Sequence, residues 1–177
     1  MRNYRKKVLF DHEAISSRVE ELAAEISARH PEGEILLIGI LKGAFMFMAD
    51  LVRRLSVPCE VDFVKISSYG SGTASSGKLN ILLDTSIPVE GRAVILVDDI
   101  VDSGLTLNEY RQALEARSPR SIETIALIDK TGRREKHVHL DYCGFRIEEG
   151  FVVGYGLDCN EFGRQTGDIY VLEDIGS

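Results

Sequence analysis

The chain has 177 residues and a formal net charge of −7, from 28 acidic and 21 basic side chains. Hydrophobic residues make up 44% of it, and the length suits one domain over residues 1–177. No apolar run reaches the roughly 20 residues that a membrane helix needs. The acidic balance repels nucleic-acid phosphate. Neither a membrane nor a nucleic acid is therefore an expected partner.

The beginning of the chain, MRNYRKKVLF, is basic, but no apolar core of signal-peptide length follows it. Its three cysteines, Cys59, Cys143 and Cys159, are far apart and form no CxxC pair. Unpaired cysteines of this kind usually serve as small, buried or half-buried hydrophobic residues, and they are typical of a protein in a reducing compartment. These two features predict a cytoplasmic protein.

The apolar pattern predicts helices and strands that alternate along the chain. In chain order it predicts a helix at 13–29, a strand at 34–41, a helix at 44–55, strands at 59–67, 80–83 and 93–97, a helix at 105–116, and strands at 122–128 and 151–155. Strands that read as continuous apolar runs between helices favour an α/β fold, with a mostly parallel sheet covered by helices on both faces. Ligands of such sheets bind beyond the carboxyl ends of the strands.

The stretch VILVDDIVDSGLTL delivers three carboxylates to one turn. Asp98 and Asp99 are expected directly after a buried strand, at the carboxyl edge of the sheet. Adjacent carboxylates repel each other unless hydrogen bonds or positive charge compensate, and ribose hydroxyls or a divalent metal would do so. The residues 102–106 (DSGLT) then supply two hydroxyls and the N–H groups of a helix start, which suit one phosphate group. A phosphorylated sugar fits both halves of this stretch.

Two other interpretations explain less of the same stretch. Asp102 or Ser103 could simply cap the helix, which leaves Asp98 and Asp99 without a role. The receiver domain of response regulators also has an acidic pair after a strand, but there the pair comes at the very start of the domain. Here 97 residues precede Asp98, and the receiver pattern has no Asp-Ser-Gly-x-Thr loop.

VILVDDIVDSGLTL resembles the phosphoribosyl-diphosphate binding motif of the type I phosphoribosyltransferases. Four more segments resemble the hypoxanthine-guanine branch of that family in order and spacing: LLIGILKGAFMFMADL, VDFVKISSYGSG, LIDKTGRR and FVVGYGLDCNEFGR. Together they extend from about Ile35 to Arg164. The resemblance implies the type I phosphoribosyltransferase fold, with a small hood formed by the N- and C-terminal segments. It also implies a reaction of purine salvage, in which a purine base attacks the anomeric carbon of 5-phosphoribosyl 1-diphosphate and forms IMP or GMP.

The resemblance assigns a first group of residues to the sugar and its diphosphate. Asp98 and Asp99 would hold the ribose hydroxyls and the associated Mg²⁺, and many relatives have Glu-Asp at this pair. Residues 102–106 would cradle the 5′-phosphate, while Lys42-Gly43 and Arg164 would meet the diphosphate from opposite sides. The family often has a cis peptide before this lysine. The complete set is Lys42, Gly43, Asp98, Asp99, Asp102, Ser103, Gly104, Leu105, Thr106 and Arg164.

A second group is assigned to the base. Asp102 would act as the catalytic base that takes the proton from purine N7. Lys130 would donate to the 6-oxo group, which favours 6-oxopurines because the 6-amino group of adenine is itself a donor. Phe151 would stack on the purine ring, and Val152 would contact its edge through the main chain. Asp158 would lie near the purine 2-position or near a water bound to Mg²⁺.

The resemblance further implies a lid and an assembly of copies. Ser68, Tyr69 and the Gly/Ser-rich residues to Lys78 resemble the family's mobile lid, which would shield the reaction from water. The family suggests a homodimer or a homotetramer, with only the purine base and the sugar diphosphate as small-molecule partners.

Other functions remain open beside this one. The base could instead be xanthine or a pyrimidine, or the protein could be a non-catalytic regulator that senses phosphoribosyl diphosphate. His137 and His139 are predicted to share a strand face, but without a third ligand nearby a zinc site is disfavoured. The basic cluster TGRREK is predicted to be a solvated turn, and it could also join a subunit interface.

Overall fold

The computed structural model describes residues 4–67 and 80–174. Within these ranges no helix is long and apolar enough to cross a membrane. In chain order the elements are β1 (Tyr4–Phe10), α1 (His12–Arg29), β2 (Ile35–Leu41), α2 (Phe45–Val52), β3 (Cys59–Ser67), β4 (Asn80–Leu83), β5 (Ala93–Val101), α3 (Leu105–Glu115), β6 (Ser121–Lys130), β7 (Tyr142–Ile147), β8 (Val152–Val153) and β9 (Ile169–Asp174).

The main sheet has six strands in the order β4-β3-β2-β5-β6-β7. Its pairs are parallel except for β4, which lies antiparallel to β3 at one edge. From β2 the chain proceeds to β3 on one side, and from β5 it proceeds to β6 on the other. The order of the strands therefore reverses between β2 and β5, and such a switch point is where sheets of this kind bind ligands. The predicted mostly parallel sheet is confirmed.

Helices cover both faces of this sheet. Ile95 of β5 packs in one core cluster with Ile15 of α1 and Phe47 of α2. Its neighbour Leu96 packs in a second cluster with Tyr110 of α3. Successive side chains of a strand point to opposite faces, so both must be apolar when both faces are covered. This is why the inner strands read as continuous apolar runs in the sequence.

A second, antiparallel sheet of three strands, β1-β9-β8, joins the two ends of the chain. Lys6 pairs with Leu172, and Val152 pairs with Val171. This sheet is the hood that the family resemblance implies. The apolar pattern does not predict β1 or β9, because β1 has three basic side chains and leaves Val8 49% exposed.

Two predicted strand ends are wrong. β5 continues past residue 97 to Val101, because β6 extends the ladder and Asp98 pairs with Ala126. Asp98 and Asp99 therefore belong to the last part of the strand, not to the turn after it. The strand predicted at 151–155 shortens to β8, since the residues that follow it have positive φ angles and turn the chain.

The predicted strand face shared by His137 and His139 is also wrong. The structure has no strand between residues 131 and 141. The Lys136 N–H donates to the Ser103 carbonyl at 3.0 Å, so this segment packs on the turn after β5 instead of entering a sheet. β7, which follows it, was not predicted, because glycine and arginine interrupt the apolar pattern of YCGFRI.

Candidate active site

The carboxyl ends of the central strands bring most of the predicted site residues to one edge of the sheet. Lys42 follows β2, the two aspartates end β5, and Lys130 ends β6. The hood supplies Phe151 and Val152 from the other side. The turn after β5 lies between these groups, so the site is built from segments that are far apart in the chain.

The loop after β2 approaches the acidic pair very closely. The Leu41–Lys42 peptide is cis, as it often is in the family that the sequence resembles. A Cβ atom on Gly43 would lie only 1.7 Å from Oδ2 of Asp99 and 2.5 Å from its Oδ1. Glycine is therefore needed here because the carboxylate occupies the space of a side chain.

Gly43→Ala is expected to lower the free energy of unfolding by about 1–3 kcal/mol, because a methyl group overlaps Asp99 and must displace the loop. Gly167→Ala is the matched control, since its Cβ would make only an ordinary contact of 3.4 Å with His12. Urea denaturation of both variants measures the difference. Equal stability of Gly43→Ala and the wild type would mean that the loop has room which the structure does not show.

The acidic pair at the end of β5 is electrostatically unfavourable when it is ionised. Asp98 is 9% exposed, and its Oδ1 accepts the Asp99 N–H at 3.0 Å. Burial, and then the neighbouring charge of Asp99, raise the pKa of Asp98 well above its usual range. Burial also raises the pKa of Asp99, although hydrogen bonds and the charge of Arg164 oppose this. A cation or a pair of hydroxyl donors would relieve this cost.

Asp98→Asn is expected to stabilise the substrate-free protein by about 0.5–2 kcal/mol at pH 8, because the amide has no charge to bury. Asp98 has a higher pKa in the folded than in the unfolded state, so its ionisation destabilises the fold increasingly as pH rises above about 4. The gain should therefore vanish near pH 4. Thermal unfolding at both pH values in a chelating buffer measures it, and an equal gain at both would refute the electrostatic explanation.

The turn after β5 leads directly into α3. Gly104 is the N-cap of α3, with a φ of 80°, and has no side chain with which to cap the helix. Ser103 does contribute a capping hydrogen bond, because its Oγ accepts the Leu105 N–H at 3.3 Å, but capping alone still leaves Asp98 and Asp99 without a role. A cavity of about 220 Å³ lies at this turn. Its lining includes Asp98, Asp102, Ser103, Gly104 and Thr106. Helix N–H groups at such a cavity suit an anion.

A second cavity, of about 260 Å³, brings together the residues that the resemblance assigns to the base. Its lining includes Asp102, Lys130, Arg133, Phe151, Val152 and Asp158. Phe151 is 54% exposed and therefore does not belong to the core, whereas Val152 is buried. An exposed aromatic face in a cleft is available to stack on a planar ligand.

Asp102 lines both cavities, and cations contact only one of its two carboxylate oxygens. The Lys130 Nζ, in a side chain that is 10% exposed, lies 3.3 Å from its Oδ2. The Arg133 Nη1 lies 3.7 Å from the same oxygen. Oδ1 is buried and has no hydrogen-bond partner among the described residues. One oxygen is thus fixed by cations, while the other is a buried acceptor without a partner among the described residues.

Arg164 and Lys42 meet at a carboxylate that sequence reasoning missed. Arg164 Nη2 lies 2.7 Å from Asp158 Oδ1 and 3.1 Å from Glu161 Oε2. Lys42 Nζ lies 3.0 Å from Glu161 Oε1. Lys42 and Glu161 are 119 residues apart in the chain, so no local pattern could have paired them.

A further arginine, Arg134, links the end of β6 to the end of β5 beside the site. Arg134 forms an ion pair with Asp129 and donates to the Val101 carbonyl at 3.2 Å. The next two residues donate their N–H groups to the Ser103 carbonyl, each at 3.0 Å. The TGRREK segment is therefore not simply a solvated turn, because it ties the end of β6 to the turn after β5.

Ser68 and Tyr69, to which the resemblance assigns the lid, lie outside the described residues. The residues that flank this segment are described, and Ser67 of β3 pairs with Asn80 of β4. The described residues Ser67 and Asn80 therefore lie at the same edge of the sheet as the two cavities.

Comparison with known proteins agrees with this geometry. Residues 6–160 match the family model of the phosphoribosyl transferase domain, and the chain belongs to this family. A hypoxanthine-guanine phosphoribosyltransferase of Aquifex aeolicus is 42% identical over 175 residues, which is 98% of each chain. A hypoxanthine phosphoribosyltransferase of Salmonella typhimurium is 44% identical over 154 residues, which is 86% of each chain.

The solved structures agree as well. That of the Trypanosoma cruzi hypoxanthine phosphoribosyl transferase has a TM-score of 0.91 at 40% identity, covering 97% of this chain and 93% of that one. The fold is therefore that of the type I phosphoribosyltransferases, and the resemblance inferred from the motifs is confirmed.

Proposed function

We propose that the protein transfers the phosphoribosyl group of 5-phosphoribosyl 1-diphosphate to hypoxanthine and guanine, forming IMP and GMP in purine salvage. The position of Asp102 carries this proposal, because its carboxylate lines both the cavity at the helix start and the cleft that contains Lys130 and Phe151. A group at that junction can act on a base and a sugar phosphate at the same time. The names of the similar proteins support the same reaction.

The cleft beside Phe151 is the proposed site of the purine. The exposed ring of Phe151 stacks on the base, and the Lys130 ammonium donates to its 6-oxo group. The main chain of Val152 contacts the edge of the ring, and Asp158 lies near the 2-position or near a water bound to the metal. Because an ammonium can only donate, it favours an oxo group over the amino group of adenine.

The sugar diphosphate occupies the other side of Asp102. Asp98 and Asp99 accept hydrogen bonds from the ribose hydroxyls, and the turn at 102–106 binds the 5′-phosphate through N–H groups and the Ser103 and Thr106 hydroxyls. Lys42 and Arg164 hold the diphosphate from two sides, and the guanidinium fork suits phosphate oxygens. Gly43 lets the loop backbone lie against Asp99, which keeps the cationic loop close to the anomeric carbon.

In the proposed reaction a purine ring nitrogen forms a bond to the anomeric carbon while the bond from that carbon to the diphosphate oxygen breaks. The base loses its N7 proton to Asp102. Oδ1 is the suitable acceptor, because Oδ2 is already held by Lys130. The ion pair with Lys130 keeps the carboxylate oriented until the base arrives.

Mg²⁺ is the proposed cofactor, and the acidic pair fits it. Asp98 and Asp99 are adjacent oxygen donors whose mutual repulsion a divalent cation relieves. Among the described residues no group of three or more His, Cys, Asp or Glu side chains gathers, so the substrate and water would complete the coordination, as is usual for this ion. When bound, the metal neutralises charge on the diphosphate. Asp158 would hold one of its waters.

We further infer one catalytic domain in the cytoplasm that assembles as a homodimer or homotetramer. The family match over residues 6–160 supports a single domain. All three cysteines are free, which suits a reducing compartment. Phe45 and Phe162 are 39% and 79% exposed. An interface with a second copy of the chain would bury these apolar side chains.

The proposed function is tested by product formation. The protein is mixed with 5-phosphoribosyl 1-diphosphate, Mg²⁺ and one base at a time, and nucleotide is measured for hypoxanthine, guanine, xanthine, adenine and uracil. IMP and GMP are the expected products. A product from xanthine or uracil alone would move the specificity to another base, and the absence of any nucleotide would indicate a non-catalytic sensor.

A further inference from the structure

The carboxylate of Glu161 bridges the two cations to which the diphosphate is assigned. Its Oε1 lies 3.0 Å from Lys42 Nζ, and its Oε2 lies 3.1 Å from Arg164 Nη2. Lys42 is 50% exposed and Glu161 63% exposed, so both side chains are free to move apart. One internal anion therefore engages both groups that an external anion would need.

Glu161 lies in a backbone conformation that favours glycine. Cys159 and Phe162 exchange backbone hydrogen bonds of 2.9 and 3.1 Å, and the two residues between them, Asn160 and Glu161, have φ angles of 52° and 67°. Two positive φ angles define a tight hairpin turn whose second position is usually glycine. A glutamate there costs stability through its Cβ. The turn thus bears a backbone cost while it presents this carboxylate to the cations.

A hydrogen bond fixes the direction of the turn. The Glu161 N–H donates to Asp158 Oδ2 at 2.8 Å, and the other oxygen of Asp158 pairs with Arg164 at 2.7 Å. Arg164 is additionally held by the Gly156 carbonyl at 2.7 Å. The guanidinium is therefore fixed in place independently of Glu161, whereas the Lys42 ammonium pairs only with Glu161 among the described residues.

We propose that Glu161 is a positioning residue that occupies the place of the diphosphate in the substrate-free enzyme and competes with it for Lys42 and Arg164. This inference rests on the proposed function, in which those two cations bind diphosphate. Diphosphate carries more negative charge than one carboxylate and displaces it. When the product diphosphate begins to leave, the carboxylate returns to both cations, which assists its release.

The expected effect is modest, because the pairs are exposed and such pairs are weak. Glu161→Gln keeps the shape of the side chain but removes its charge, and it should tighten the binding of magnesium diphosphate by about two- to fivefold. In steady-state kinetics it should lower KM for the sugar diphosphate by a similar factor without raising kcat. A residue that only supports the fold would not tighten ligand binding.

The test is calorimetric titration of the full chain with magnesium diphosphate. Glu32→Gln is the matched control, since it removes an equal, exposed charge before β2, at the opposite edge of the sheet. Glu161→Gly is the second variant, which removes the charge and relieves the turn, so it keeps the test valid if Glu161→Gln folds poorly. Both Glu161 variants should bind more tightly than the wild type, and Glu32→Gln should not.

Lys42→Met distinguishes a failure of the inference about Glu161 from a failure of the proposed diphosphate site. If it weakens diphosphate binding while the Glu161 variants bind no more tightly than the wild type, the inference about Glu161 is overturned and the proposed diphosphate site stands. If the Glu161 variants bind more weakly, the carboxylate assists the ligand and the inference is likewise wrong. If the wild type binds no diphosphate, or Lys42→Met binds it equally well, the diphosphate site itself fails.

Discussion

Asp102→Asn is expected to lower kcat for IMP formation by about 10²–10³-fold, because the substitution removes the group that accepts the purine proton. Asparagine has nearly the same shape and can still occupy the turn at the start of α3. The binding of 5-phosphoribosyl 1-diphosphate should therefore change by no more than a few-fold. Steady-state kinetics with hypoxanthine and a separate titration of the sugar diphosphate measure the two effects.

A nearby carboxylate serves as the control for this prediction. Glu149 is exposed and precedes Gly150, which lines the base cleft, so Glu149→Gln removes an equal charge close to the site. It should leave kcat nearly unchanged. Turnover of Asp102→Asn within about threefold of the wild type would exclude Asp102 as the general base. A large loss of affinity with normal kcat would instead make it a binding residue.

Lys130→Met is expected to reduce kcat/KM for hypoxanthine by about 10–100-fold, because a hydrogen bond to a charged group contributes roughly 1.5–3 kcal/mol. Methionine retains the apolar length of a side chain that is only 10% exposed. Since the lost donor is the group that disfavours adenine, the ratio of hypoxanthine to adenine use should fall as well. Parallel kinetics with the two bases measure both quantities.

Arg133 provides the matched control, because it contacts the same oxygen of Asp102 at 3.7 Å but is 75% exposed. Arg133→Met removes a cation from Asp102 without removing the buried donor. It should change kcat/KM by less than about threefold, in line with the weakness of exposed ion pairs. If Lys130→Met leaves the preference for hypoxanthine over adenine unchanged, Lys130 acts only on Asp102 and not on the base.

Local patterns predicted the inner sheet well, because burial on both faces makes a strand apolar throughout. The run at 34–41 and the strand containing Ile95 belong to this class, and their helices follow at the expected spacing. The hood was not predictable in the same way. β1 is polar along most of its length and is stabilised by pairing with β9, about 165 residues away, so its local sequence has little strand character.

The candidate site shows the same division. Asp98, Asp99 and Asp102 are adjacent in the sequence, and a single motif indicates their chemistry. Glu161 and Arg134 act through contacts with segments that only the fold brings near. The end of β5 was placed too early for a related reason, because charged residues look like a loop unless the neighbouring strand is known to continue the ladder.

The acidic pair also shows why such a site is not optimised for stability. The burial that raises the pKa of Asp98 destabilises the substrate-free fold at neutral pH. The same arrangement provides two carboxylates with few competing partners for a metal and a sugar. Functional sites commonly keep such unfavourable charges because the ligand compensates them.

The central claim is that this cleft transfers a phosphoribosyl group selectively to a 6-oxopurine. Its most direct test is a competition, in which the wild type receives 5-phosphoribosyl 1-diphosphate, Mg²⁺ and equal concentrations of hypoxanthine, adenine and uracil. Mass spectrometry of the nucleotides formed then gives the preference in one measurement. The account predicts IMP, with AMP and UMP at least about 100-fold less abundant. Predominant AMP or UMP, or no nucleotide at all, would contradict it.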